Sequence, residues 1–138
     1  AQLSDPKRDQ KKTQNALQAL QEVVSRFPRT DYAADAEKKL NLAYDYLAAK
    51  ELNVGKFYQK NNEHAAALNR FFTVVRDYPA TRSVQEALFR LTETYLILGL
   101  DEEAQKSAAV LGYNYPDSRW YKKAYELMKE YAPETIKG

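Results

Sequence analysis

The stretch Asp77-Tyr78-Pro79-Ala80-Thr81 has two relatives within the same chain. Phe27-Pro28-Arg29-Thr30 precedes it and Tyr115-Pro116-Asp117-Ser118 follows it, so the shared form is an aromatic residue, Pro, any residue, then Thr or Ser. Proline lacks a backbone donor and crowds the residue before it out of helical geometry. The hydroxyl two positions later offers an oxygen to the orphan N–H groups at the start of a new helix. Each copy therefore predicts one helix ending and another beginning. The flanks keep the same phase: Ala36, Ala87 and Ala124 stand eight residues after the prolines, and Leu40, Leu91 and Met128 stand twelve after. Ala16, Ala67 and Ala104 stand twelve before, with Val23, Val74 and Leu111 five before. Small and large apolar residues recurring in register on both sides of a proline describe a repeated helix hairpin.

The middle unit, Val54-Gly55, Tyr58, Asn62, Ala67, Phe71, Val74 and Pro79, matches the tetratricopeptide pattern in spacing. Its turn departs from that pattern, with Asn61-Asn62 where glycine is usual. Asn tolerates left-handed geometry best among residues with a side chain. The next unit, Leu91, Tyr95, Gly99, Ala104, Ala108, Leu111 and Pro116, restores the glycine. Pro79 and Pro116 are 37 residues apart, whereas Pro28 and Pro79 are 51 apart, an excess of fourteen. Because fourteen residues make almost four helical turns, and the stripe Leu40, Tyr44, Leu47, Val54, Tyr58 runs on unbroken, a single long helix over 31–60 is expected. A break between Ala48 and Leu52 is the alternative. The other helices are placed at 9–27 with Asp9 as N-cap, 63–77, 82–98, 101–114 and 118–131, and the tail 132–138 is expected to fray. The chain thus reads as all-α: one solenoid domain over 1–138 of tetratricopeptide-type hairpins sharing a long helix, in units 9–47, 48–79 and 82–116 plus a last helix at 118–131.

Composition agrees and removes most chemistries. Among 138 residues only four are Gly and five Pro, too few to punctuate a many-stranded sheet. Hydrophobic residues at 44% and charged residues at 29% fit neither a disordered tail nor a membrane-spanning bundle. A net charge of +2 without a long single-sign block gives no reason to expect nucleic acid. The chain has no Cys, which removes thiolate catalysis and leaves the redox compartment open. Its one histidine, His64, lacks any His or Glu at ligand spacing, so no metal or other cofactor is expected. No serine lies in a Gly-x-Ser-x-Gly elbow and no glycine cluster could cradle phosphate. No catalytic residue is assigned; the chain reads as a binding surface.

Several runs further resemble a known family. Arg8-Asp9-Gln10 with Thr13, Ala16 and Phe27-Pro28, then Tyr32-Ala33-x-Asp35-Ala36, is similar to the third repeat of the BamD family of outer-membrane assembly lipoproteins. Glu51-Leu52-x-Val54, Phe57-Tyr58, Asn69-Arg70 and Asp77-Tyr78-Pro79-x-Thr81 are similar to the fourth, and Glu86-Ala87-Leu88, Thr94-Tyr95 and Leu98-Gly99-Leu100 extend the likeness. The resemblance implies a non-catalytic scaffold at the periplasmic face of the bacterial outer membrane, in the β-barrel assembly machine. It implies that these are C-terminal repeats, docking on the membrane-proximal POTRA domain of BamA beside other machine subunits. The lipid anchor and the half that receives unfolded outer-membrane proteins would then lie outside this chain.

The docking residues are assigned partly on that likeness. Arg70 corresponds to the family arginine facing the POTRA domain, and its position between Ala67 and Phe71 lets the guanidinium reach the rim. An intramolecular salt bridge is its competing role. Phe57 stands off the Val54–Tyr58 stripe, as either an exposed anchor or a core residue between hairpins. Asn61 and Arg76 are included as neighbours. Rival functions are a Tol-Pal-type cell-envelope adaptor, which would have evenly spaced repeats, and a cytosolic peptide clamp gripping a carboxylate.

Overall fold

A computed structural model describes residues 6–136, and the side chains from residue 8 onward. Six α-helices follow one another: α1 (Pro6–Arg26), α2 (Asp31–Lys60), α3 (His64–Asp77), α4 (Val84–Ile97), α5 (Asp101–Asn114) and α6 (Arg119–Tyr131), then a 3₁₀ turn at Pro133–Ile136. No strand occurs among the described residues. The 30-residue α2 has the expected bounds and runs through Ala48–Leu52 without interruption. Two compact units divide between Tyr46 and Leu47.

In the first unit, α1 begins at Pro6, so Asp9 lies in its first turn instead of capping it. Proline is suited to the first helical position because its φ is already helical and its missing donor is not needed there. Gln21 donates to the Tyr44 hydroxyl. Thr30 caps α2 as expected: its Oγ1 accepts from the Ala33 amide at 3.1 Å and donates to the Phe27 carbonyl at 2.6 Å.

The second unit holds the main core, in which Leu52, Ala67, Phe71, Val74, Leu88, Leu91, Ala104, Leu111, Ala124 and Met128 interlock. The small residues at 67, 104 and 124 are fully buried, as their phase requires. Asn62, at φ 63°, and Gly99, at φ 76°, end α2 and α4 in the same way. In each turn one amide reaches back five residues, Glu63 to Tyr58 O and Leu100 to Tyr95 O, and its predecessor three, Asn62 to Gln59 O and Gly99 to Leu96 O. These are Schellman turns, which need a left-handed residue at the reversal. Asp101, Glu102 and Glu103 then open α5, where its dipole favours negative charge.

Two expected boundaries need correction. Thr81 does not cap α4; it donates to the Tyr78 carbonyl at 2.7 Å inside an extra turn, and α4 starts only at Val84 after Ser83. The tail does not fray before Ile136. Ala132 is buried, and Thr135 Oγ1 donates to its carbonyl at 2.8 Å, the contact that Thr30 and Thr81 make in their proline turns. Pro133 thus forms a fourth turn of that kind, and Ile136 packs on the core.

Polar groups join α2 to α4. Lys56 pairs with Glu86 at 2.9 Å, Arg90 bridges Glu86 and Glu93 at 3.1 and 2.9 Å, and Gln59 donates to Glu93 and to Thr94 Oγ1 at 3.1 and 3.2 Å. Buried Thr92 and Thr94 donate to carbonyls one turn back, so neither hydroxyl is stranded.

Candidate docking surface

Where α2 meets α3 the backbones approach closely. A Cβ built at Gly55 would stand 2.6 Å from Phe71 Cε1 and 3.2 Å from Arg70 Cβ. That approach delivers Arg70 to α2, where its Nη1 lies 3.1 and 3.3 Å from the two carboxylate oxygens of Glu51. The competing role expected for Arg70 is therefore realised. Hydrogen bonding to Glu51 raises the Arg70 pKa above its ordinary value, against burial, with Tyr58 adding in the same direction. The side chain is still 39% exposed, so the guanidinium lies at the rim as its register implies.

Phe57 resolves to the exposed alternative, at 63%, with its ring edge-on to Tyr58. Asn61, one turn on, is exposed and donates from Nδ2 to the Phe57 carbonyl at 3.1 Å. Asn61 stands just past the end of α2 and continues the strip that Phe57 occupies. Arg76 is exposed on α3, forked onto Asp77 at 2.8 and 3.1 Å and lying over the Phe72 ring at 5.6 Å. Its bonds hold the Asp77 carboxyl below the usual range.

The four residues do not converge on one point. At about 100° per residue, Phe57 lies roughly 120° around α2 from Glu51, and Arg76 roughly 120° around α3 from Arg70. Arg70 occupies the seam between the helices, Phe57 and Asn61 the outer strip of α2, and Arg76 with Phe72 the outer strip of α3. Phe72, 48% exposed, was missed by sequence reasoning. Its signal was present: Phe71 is in repeat register, so its neighbour, a quarter turn away, faces outward. Among the described residues no cluster of three or more His, Asp or Glu could hold a metal ion, and no helix is long and apolar enough to cross a membrane.

A family model described as YfiO, outer membrane lipoprotein, matches residues 1–111. The chain belongs to that family. Among YfiO relatives, the outer membrane protein assembly factor BamD of Caulobacter vibrioides is 48% identical over 129 residues, covering 94% of this chain and 42% of the relative. Its namesake in Rickettsia prowazekii is 46% identical over 129 residues, 94% of this chain and 51% of the relative. That of Neisseria meningitidis serogroup A is 36% identical over 119 residues, 86% and 45%. The chain spans about half the length of these curated relatives. Family membership accords with the all-helical fold.

Proposed function

We propose that this chain is a non-catalytic scaffold segment of an outer-membrane protein assembly factor, working at the periplasmic face of the outer membrane. It docks through the α2–α3 edge, with Phe57 and Asn61 on one strip, Arg70 at the seam and Arg76 beyond, onto the POTRA domain of BamA. Its repeats are counted as 9–47, 48–79 and 82–116 with a last helix at 118–131. Contacts to other machine subunits, and to unfolded outer-membrane proteins through an N-terminal half, belong to the complete protein.

The single observation carrying this reading is that the α2–α3 edge exposes the Phe57 ring on its outer strip and leaves Arg70 partly exposed at its seam. Aromatic and arginine side chains are the residue types that anchor interfaces. The names of the relatives support the assembly role.

The test must separate docking from the internal pair. Arg70→Glu alone sets two carboxylates against each other, so it should cost about 1 kcal/mol of stability, the scale of a partly exposed pair. Combining it with Glu51→Arg restores an internal pair of opposite charge. In a titration against the isolated POTRA domain, both variants should bind more weakly by about 2 kcal/mol, the scale for a lost charge contact at an interface. The double variant should melt like the parent. Parent-like affinity in the double variant would remove Arg70 from the interface.

A further inference from the structure

The first turn of α6 gathers positive charge around one indole, away from the edge described above. Half-buried Trp120 packs on Phe89 of α4, with centroids 5.4 Å apart. Arg119 and Lys123 each lie 4.8 Å from its ring centroid, and Arg90 lies at 5.7 Å. Arg90 is neutralised by Glu86 and Glu93. Arg119, Lys122 and Lys123, all exposed, enter no ion pair among the described residues. Three cations are thus held on one turn with no carboxylate in ion-pair contact among the described residues.

From this corner an open groove of about 360 Å³ runs between α4 and α6, with Phe89 and Leu127 beneath and Lys122, Lys123 and Glu126 alongside. Through Leu127 it continues into a mostly apolar stretch of about 440 Å³ bordered by Leu96, Ile97 and Tyr131 and by Glu93, whose carboxylate is held by Arg90. Ile97 is 58% and Tyr131 63% exposed, so this stretch presents apolar side chains to solvent. Lys123 to Tyr131 is eight helical residues, about 12 Å, which roughly four residues of extended chain would span.

We propose that the α4–α6 groove binds an extended protein segment carrying carboxylates at one end and bulky apolar side chains over the next few residues. The carboxylates meet Arg119, Lys122 and Lys123, while the apolar side chains cover Leu127, Ile97 and Tyr131. Charge selects this occupant, since a basic segment would be repelled at the corner and a neutral one would desolvate the cations without pairing them. Glu126 fixes the register, because a carboxylate shifted one turn along would face it. A phosphate-bearing bilayer would pair the cations through its headgroups but, being flat, would not follow the groove floor at Phe89 and Leu127. The groove and the Phe57–Arg70 edge use different side chains, so each reading can fail without the other.

The test is a fluorescence-anisotropy titration of the chain with a labelled peptide, Asp-Glu-Asp-Phe-Leu-Phe. Controls are the charge-inverted Lys-Lys-Lys-Phe-Leu-Phe, the apolar-deleted Asp-Glu-Asp-Ser-Gly-Ser, and vesicles of phosphatidylglycerol. The first peptide should bind saturably, and each control peptide at least tenfold more weakly. Lys122→Glu with Lys123→Glu should weaken it tenfold or more, and Ile97→Ser several-fold, with circular dichroism unchanged because all three side chains are exposed. The proposal is overturned by equal binding of the inverted peptide, by indifference to either variant, or by binding to the vesicles and to no peptide.

Discussion

Two glycines inside helices show how a single hydrogen atom can set a helix spacing. Gly55 and Gly112 both sit where alanine would favour the helix by about 1 kcal/mol, yet each is pressed against a ring, Phe71 and Tyr121 respectively. Phe71 is fully buried and cannot retreat, whereas Tyr121 is only partly buried. Gly55→Ala should therefore cost about 1–3 kcal/mol, the scale of an overpacked core, and Gly112→Ala should cost less; chemical denaturation of the two variants measures the difference. A smaller effect is expected at Asp77. Because its pKa in the folded chain lies below that of the unfolded one, its bond to Arg76 favours folding above pH about 4 and fades as pH falls through the lowered value. Arg76→Ala should return the Asp77 titration, followed by carboxyl NMR, to the ordinary range. The register of Arg70 was legible from Ala67 and Phe71, but its partner was not. Glu51 lies nineteen residues upstream on another helix, and which side chains meet across a hairpin depends on a rotation that no spacing encodes.

At the scale of the element, the hydroxyl after each proline has two jobs open to it, and Thr30 does both. Ser118 Oγ accepts from the Trp120 amide at 3.1 Å and caps α6. Thr81 only closes its own turn, because α4 starts two residues later than the shared form implies. Ser118→Ala should lower the melting temperature by the equivalent of about 1 kcal/mol, a lost cap, and Thr81→Ala by distinctly less, read from paired thermal melts. Most of the fold was open to reading at this scale. The fourteen-residue excess between prolines gave the length of α2, and the α5 bounds were met to the residue. Requiring an aromatic residue before the proline hid the fourth turn: Ala132-Pro133-Glu134-Thr135 has the same backbone chemistry with a small buried residue in the aromatic place. The left-handed Arg29, at φ 68°, was equally silent, since arginine carries no signal for that geometry. The basic corner at Trp120 also escaped, because Arg90 reaches it from a helix thirty residues upstream.

Across the molecule, burial is uneven. Helix α4 places Val84, Ala87, Leu88, Phe89, Leu91, Thr92 and Thr94 out of solvent, while from Arg8 onward α1 has no buried side chain. Local opening is governed by such differences, so amide hydrogen exchange should be slowest in α4 and fastest in α1; uniform protection would contradict this. The rungs between α2 and α4 carry a consequence for how the sequence can drift. Glu86 serves Lys56 and Arg90 at once, and Glu93 serves Arg90 and Gln59. Loss of Glu86 leaves Lys56 without this partner and Arg90 with Glu93 alone, whereas loss of Lys56 leaves Glu86 still paired with Arg90, so the cost of a substitution at one site depends on what stands at the others and epistasis is built into the joint between these helices.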